Sequence, residues 1–140
     1  MKSKKIVVVE VELIVGMMIK LKLEKMGYSV TGFASKGKDA ISMVDAIHPD
    51  LILMDIRLKG GMDGIETAMR IRDSYSIPIV FITADSSKET RERANLVGHQ
   101  GYLTKPFMDE DLGYIVHSVF YNSVDRAGEV NETKSLLCKT

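Results

Sequence analysis

The stretch Leu51-Ile52-Leu53-Met54-Asp55 is a short apolar run that ends in a carboxylate, and it is followed by Ile56-Arg57-Leu58 and two glycines. Such a run predicts a strand buried inside a sheet, with Asp55 at its carboxyl end. Two later runs end in the same way, one at Thr83 and one at Lys105-Pro106. Because ligands bind at the carboxyl ends of the strands in an open parallel sheet, we expect Asp55, Thr83 and Lys105 to meet at one site.

Apolar runs alternate with helical patterns on both sides of this stretch. The strands are predicted at 6–9, 28–33, 50–55, 77–83 and 100–104, and the second of them, which is half polar, is expected near an edge. The first helix is indicated by apolar residues at helical spacing before Gly27: Leu13, Ile14, Met17, Met18, Leu21 and Met26. Further helices are predicted from Ala40 to Ile47, after an N-cap at Asp63, over 86–97 and from Asp109 to about Tyr121. This alternation predicts an α/β fold in which a parallel sheet carries helices on both faces.

The length of 140 residues predicts one domain. The apolar periodicity is lost after Tyr121, so we assign residues 1–121 to the domain and residues 122–140 to a helix extension or a linker tail.

The balance of charge argues against some classes of partner. Lysine plus arginine equals aspartate plus glutamate at 19 each, which does not favour nucleic acid or an anionic membrane as a direct partner. Cys138 is the only cysteine, so no intrachain disulfide can form. That fact, with no apolar segment of membrane-spanning length and no signal-cleavage pattern, leads us to expect a cytoplasmic protein.

Motifs at the ends of the predicted strands resemble those of receiver domains in two-component response regulators. The resemblance covers roughly residues 4 to 121, and four segments carry it: Ile6-Val7-Val8-Val9-Glu10, Asp55-Ile56-Arg57-Leu58 with Met62-Asp63-Gly64, Ile82-Thr83-Ala84, and Tyr102-Leu103-Thr104-Lys105-Pro106-Phe107. It implies a flavodoxin-like, doubly wound sheet of five parallel strands in the order 2-1-3-4-5, with five helices in three α/β/α layers.

The resemblance also implies a function. Asp55 would accept a phosphoryl group from a histidine kinase or phosphotransfer protein, with Lys105 and Thr83 contacting the phosphoryl oxygens. Magnesium would be held by Glu10, Asp55 and the backbone carbonyl of Arg57.

Further features of the family concern how the signal leaves the site. The resemblance implies a cis bond between Lys105 and Pro106, and it makes Thr83 and Tyr102 the switch residues. The face formed by residues 86–121 would contact an output domain or protein, and it is a possible homodimer face.

The chain departs from the receiver pattern after its first strand. Receivers usually carry two adjacent acids there, whereas this chain has Glu10 followed by Val11. Losing a direct ligand is expected to weaken magnesium binding by at least the roughly 10–100-fold that outer-shell losses cost. Either Glu10 or Glu12 reaches the ion and keeps a weakened site, or the domain signals without phosphate.

Other interpretations of the same residues remain open at this stage. Asp55 and Lys105 can form a simple ion pair, and the whole chain can be a phosphorylation-independent interaction module, which Val11 favours. A flavin carrier or an enzyme is disfavoured because no glycine loop follows the first strand. Hydrolysis of small acyl phosphates would need a second carboxylate, for which Glu10 is the only candidate. We therefore expect no enzyme beyond self-phosphorylation and autodephosphorylation, and we expect His99 to be a surface residue rather than a ligand.

Overall fold

The computed structural model of the chain describes residues 3–121. The strands are β1 Lys5–Val9, β2 Ser29–Ala34, β3 Leu51–Asp55, β4 Ile79–Thr83 and β5 Gly101–Thr104, and the helices are α1 Leu13–Lys25, α2 Gly37–Ile47, α3 Gly64–Arg72, α4 Lys88–Val97 and α5 Asp109–Tyr121. The strands pair in parallel in the order β2-β1-β3-β4-β5, which confirms the predicted flavodoxin-like sheet. The predicted tail at 122–140, with Cys138, lies outside the described residues.

Two apolar clusters lie on opposite faces of the sheet because neighbouring residues of a strand point to opposite sides. Ile6 and Val8 belong to the cluster that contains Leu23 of α1 and Val116 of α5. The alternate residues of the strands point to the other face of the sheet. There they form a second cluster with apolar residues of α2, α3 and α4, and its members include Val7, Val9, Ile52, Met54, Phe81, Val44, Ile71 and Ala94. The central strands are therefore buried on both faces, as their continuous apolar runs predicted.

Helix α1 forms where its spacing predicted, but most of the residues that indicated it do not face the core. Leu13, Ile14, Met17, Met18 and Leu21 are each 54% to 74% exposed. The buried positions of the helix are instead Gly16, Ile19 and Leu23. Helix α1 is apolar on nearly all sides, so it presents an apolar stripe to solvent. No described helix, α1 included, is both long and apolar enough to cross a membrane.

The helix ends follow local chemistry. The Asp63 side chain accepts a hydrogen bond from the Glu66 amide at 2.9 Å, which confirms the predicted N-cap of α3. Helix α4 begins at Lys88 rather than 86 because Ser87 caps it through the Thr90 amide. Gly98, at a positive φ of 84°, ends α4 as predicted.

Candidate functional site

Asp55, Thr83 and Lys105 meet at the carboxyl edge of the sheet, as the strand ends predicted. Asp55 and Thr83 are the last residues of β3 and β4, and they are 4% and 1% exposed. Lys105 follows β5 and precedes a cis bond to Pro106, which confirms the predicted isomer. The Lys105 ammonium nitrogen lies 3.2 Å from an oxygen of the Asp55 carboxylate.

Glu10 is the second carboxylate that contacts this lysine. It follows β1 directly, is 1% exposed, and its Oε2 accepts hydrogen bonds from Lys105 Nζ and the Glu12 amide, each at 2.9 Å. Its other oxygen, Oε1, is buried without a hydrogen-bond partner among the described residues. Lys105 thus bridges two buried carboxylates that stand at the ends of neighbouring strands.

The protonation of this trio reflects burial and mutual charge. Burial raises the pKa of the Glu10 carboxyl above its usual value, although the Glu12 amide and Lys105 oppose the shift. Burial alone would lower the pKa of Lys105, but its bond to Glu10 and the charge of Asp55 outweigh burial and raise that pKa. Lys105 is therefore a cation at neutral pH, whereas the fold penalises the charge on Glu10.

A cleft of about 410 Å³ opens above Asp55. It is lined by Val11, Glu12, Asp55, Arg57, Thr83, Ala84 and Asp85. The Thr83 hydroxyl accepts a hydrogen bond from the Asp85 amide at 3.0 Å, and the Arg57 amide lies 3.3 Å from Asp55 Oδ1. The cleft holds a carboxylate and a hydroxyl on its floor, and it is open to a small anionic group. The Val11 side chain forms an apolar part of the cleft wall.

The residues at the cleft fit a weakly held magnesium ion. Magnesium keeps several waters and binds proteins through one or two carboxylates, and the buried, unpartnered Oε1 of Glu10 is an acceptor without a donor. Among residues 3–121, however, no group of three or more acidic, histidine or cysteine side chains is arranged to hold a metal. Glu12, Asp55 and Asp85 are the carboxylates that line the cleft, and Glu10 lies beside it, sharing Lys105 with Asp55. Glu12 is exposed, with its Oε1 4.0 Å from Lys105 Nζ.

Gly64 is needed for the loop after β3 to close over the site. A Cβ atom at this position would lie 2.0 Å from the backbone oxygen of Asp55. The Gly64 amide in turn donates to the carbonyl of Ile56 at 2.6 Å. The motif Met62-Asp63-Gly64 therefore has a direct physical reason, because any side chain at 64 would displace the backbone of Asp55.

Tyr102 is half-buried beside the loop between β4 and α4. Its hydroxyl donates to the Asp85 carbonyl at 3.2 Å, and the Arg91 guanidinium stacks 4.1 Å from the ring centre. His99 is half-buried too, with its ring 5.6 Å from that of Phe81 and 5.8 Å from that of Tyr102. His99, expected to be a surface residue, is thus partly exposed, and one side of its ring packs against aromatic rings.

Asp85 is a site residue that the sequence analysis did not single out. It lines the cleft, and hydrogen bonds from the Thr90 hydroxyl, and then from Ser87, lower the pKa of its carboxyl. The signal that would have found it is its place two residues after Thr83, in the loop that leaves the carboxyl end of β4.

A second concavity lies beside the cleft and is mostly apolar. It measures about 420 Å³ and is lined by one face of α1 and by the segment after β5: Glu12, Val15, Met18, Ile19, Ala84, Lys105, Pro106, Phe107, Asp109 and Leu112. We call it the α1 groove. It shares Glu12 and Ala84 with the lining of the cleft, so the two concavities adjoin.

The chain is similar in sequence to a known protein family and to curated proteins. A family model described as "Response regulator receiver domain" matches residues 6–117. The Transcriptional regulatory protein PdtaR of Mycobacterium tuberculosis is 34% identical over 109 residues, which are 78% of this chain and 53% of that protein. The chain thus spans about half the length of this curated relative.

Solved structures agree. The signal receiver domain of a modulated diguanylate cyclase from Desulfovibrio desulfuricans G20 is 31% identical, with a TM-score of 0.80, over 89% of this chain and 100% of that one. The receiver domain of the sensor histidine kinase PA1611 from Pseudomonas aeruginosa PAO1 is 30% identical, with a TM-score of 0.74, over 83% and 96%. The latter structure has a magnesium ion coordinated in its active-site cleft.

Proposed function

This chain belongs to the family of response regulator receiver domains, and on that premise we propose that it carries a phosphoryl group on Asp55. The group would come from a histidine kinase or phosphotransfer protein and would leave by hydrolysis. One observation carries the proposal: Asp55 lies on the floor of an open cleft with the Lys105 ammonium 3.2 Å from its carboxylate.

The chain's own residues account for the chemistry. A carboxylate oxygen of Asp55 forms a bond to phosphorus while the bond from phosphorus to the donor nitrogen breaks, which yields an acyl phosphate. Lys105, held as a cation by Glu10 and Asp55, neutralises charge on the phosphoryl oxygens. The Thr83 hydroxyl donates to one of them in this proposal. Magnesium, when bound by Glu10, Asp55 and the Arg57 carbonyl, supplies further positive charge.

Val11 affects the proposed magnesium affinity and the rate of phosphorylation. Valine in place of an acid removes one direct ligand, and we propose reduced magnesium affinity and slower phosphorylation, with Asp55 still competent. A magnesium affinity of the natural chain equal to that of Val11→Asp would contradict this.

Intact mass spectrometry tests the proposal directly. The natural chain, Asp55→Asn and Val11→Asp are incubated with magnesium and a small-molecule phosphodonor. We expect one added phosphoryl group on the natural chain, none on Asp55→Asn, and faster addition to Val11→Asp at limiting magnesium. Absence of any addition to the natural chain, together with addition to Val11→Asp, would show that valine has disabled the site.

We further propose that the phosphodonor protein docks on the exposed stripe of α1 and in the α1 groove. A donor must bring its phosphoryl group to Asp55, so it must cover the rim of the cleft. The stripe begins at Leu13, directly after Glu12 on that rim, and large exposed apolar patches mark interaction sites. Exposed methionines suit such a surface because their side chains adapt to a partner.

A pair of methionine substitutions separates docking from chemistry. Met17→Lys lies on the α1 stripe, and Met69→Lys is the matched control, since Met69 is also about half exposed but lies on α3. With a histidine kinase that phosphorylates the natural chain, we expect Met17→Lys to slow transfer at least about tenfold, as loss of an interface anchor does. Phosphorylation by the small-molecule donor should not change. Equal transfer rates for the two variants would exclude α1 as the docking face.

A phosphorylation-independent interaction module is the second candidate, and Val11 and the apolar stripe both favour it. On this alternative the stripe alone binds the partner. Asp55→Asn would then leave partner binding and the cellular response unchanged, whereas Met17→Lys would abolish both.

The output face is proposed to be the one formed by α4, β5 and α5. Arg93 of α4 pairs with Asp63 at 2.9 Å, and Asp63 caps α3 at the end of the loop that carries Arg57. Tyr102 of β5 bonds the loop that follows Thr83. Both contacts join the cleft to this face, so we propose that a change at Thr83 moves Tyr102 and α4 together, and that an output domain or a second copy responds to that movement.

A further inference from the structure

A further concavity at the carboxyl edge of the sheet, distinct from the α1 groove, is lined by cationic side chains. It measures about 370 Å³ and is formed by Lys36, Gly37, Lys38, Lys59, Gly60, Gly61, Met62, Glu66 and Arg70, and we call it the basic pocket. None of these residues lines the cleft above Asp55. The basic pocket is therefore a separate place, bounded by the start of α2, the loop after β3 and one side of α3.

Positive charge in this pocket is not balanced by the protein. Glu66 is the one acid in the lining, and it is already paired with Arg70 at 3.0 Å. Lys36, Lys38 and Lys59 form no ion pair with any of residues 3–121. Over the whole chain the formal net charge is zero, so this excess is a local concentration rather than a general property.

The backbone forces the lysines together. Lys36 and Lys59 face each other in an isolated parallel bridge, and the Lys59 amide donates to the Ser35 carbonyl at 3.1 Å. Like charges placed opposite each other are destabilising. Lys38 lies in the first turn of α2, where the helix dipole disfavours a cation. An anion bound among the three lysines would be attracted by all of them.

The pocket also has room and donors for an anion. A Cβ atom added to Gly60 or Gly61 would meet nothing within 4 Å, so the space beside these two lining glycines is open. Helix α2 begins at Gly37, and the Lys36 side chain at its N-cap position accepts no hydrogen bond, which leaves amides of its first turn available. The start of α2 packs closely against α3, because a Cβ atom at Gly37 would lie 2.1 Å from the Thr67 hydroxyl.

We propose that the basic pocket binds a small ligand bearing two or more linked phosphate groups. Its volume is at the lower end of small-molecule sites, which suits a di- or triphosphate and not a folded partner. Lysine ammonium groups bind phosphate as point charges, and three lysines line this pocket. Aromatic rings are absent from the lining, so recognition rests on the phosphate groups.

The proposal is tested with inorganic tripolyphosphate as the probe. The titration follows backbone amides by NMR in metal-free buffer, on both the natural chain and Asp55→Asn, so that binding near Lys105 is recognised separately. We expect saturable one-to-one binding with shifts centred on Gly37, Gly60 and Gly61, equal in both proteins. Because Asp55→Asn cannot accept a phosphoryl group, binding of tripolyphosphate to this variant is a result independent of the phosphoacceptor role of Asp55.

Variants of equal charge change supply the control. Lys36→Gln/Lys59→Gln removes two cations from the pocket. Lys22→Gln/Lys25→Gln removes two from the end of α1, where they also form no ion pair with any of residues 3–121. We expect the first variant to weaken tripolyphosphate binding at least about tenfold, from the loss of two charge-assisted contacts, and the second to leave it unchanged. Equal weakening by both variants, shifts centred on Lys105, or tighter binding of a hexaglutamate peptide than of tripolyphosphate would overturn the proposal.

Discussion

Single residues at the carboxyl edge of the sheet differ in how the fold treats their charge. Glu10 is almost fully buried and shares Lys105 with Asp55, whereas Glu12, two residues on, is exposed. Burial raises the pKa of Glu10, so the folded protein binds a proton there more tightly than the unfolded chain does. Ionisation of Glu10 therefore lowers the stability of the folded protein.

Replacing Glu10 by glutamine should raise the thermal midpoint at pH 7 by a few degrees in the presence of a chelator. The raised pKa means that the penalty appears as pH increases from 4.5 through the higher folded-state value, so the gain should vanish below about pH 4.5. Circular dichroism melts of both proteins between pH 4 and 8 would check this. A midpoint gain of the same size at every pH would contradict burial of charge as its cause.

At this scale the sequence predicted the meeting of Asp55, Thr83 and Lys105 from strand ends alone. It did not predict that Lys105 would bond Glu10 more closely than Asp55, at 2.9 Å against 3.2 Å. That preference depends on the side-chain path of a long lysine across three strands, and no pattern along the chain encodes such a path. Asp85 escaped notice for a similar reason, since its loop carries no periodicity.

Whole elements show what periodicity predicts and what it leaves open. Spacing located all the helices to within a few residues, but in α1 it did not identify the buried face, because apolar residues occur on nearly every side. Gly16 marks the buried side instead. A Cβ atom there would lie 2.1 Å from the ring of Phe33, so the close approach of α1 to β2 requires glycine at position 16.

Two glycine substitutions should therefore have opposite effects. Gly16→Ala forces the Phe33 ring to move and is expected to lower the free energy of unfolding by about 1–3 kcal/mol, as overpacking does. Gly113→Ala, in α5, meets only ordinary contacts at 3.6 Å and should raise it by about 0.5–1 kcal/mol through helix propensity. Urea unfolding of the two variants measures both. Stabilisation by Gly16→Ala would mean that α1 is free to shift outward.

The molecule as a whole has one sheet serving two apolar clusters. Val80 of β4 lies in the cluster under α1 and α5, and its neighbour Phe81 lies in the cluster under α2, α3 and α4. Because both clusters depend on the same strands, loss of one removes the support of the other. We expect a single cooperative unfolding transition.

Cavity-forming substitutions on opposite faces test this cooperativity. Leu23→Ala opens the first cluster and Ile71→Ala the second, and each residue is no more than 2% exposed. Each should cost about 2–5 kcal/mol while leaving one transition that coincides by circular dichroism and tyrosine fluorescence. Separate transitions for the two probes in either variant would show that the faces unfold independently.

The exposed stripe of α1 has a consequence for how the chain behaves at high concentration. With a formal net charge of zero and an isoelectric point near 6.8, copies at neutral pH have little long-range repulsion to keep them apart. Because a row of leucine, isoleucine and methionine side chains is exposed on α1, we expect the purified chain to self-associate at high concentration. A phosphodonor that docks on α1, as we propose, would cover that row, and we expect its binding to lower the tendency of the chain to precipitate.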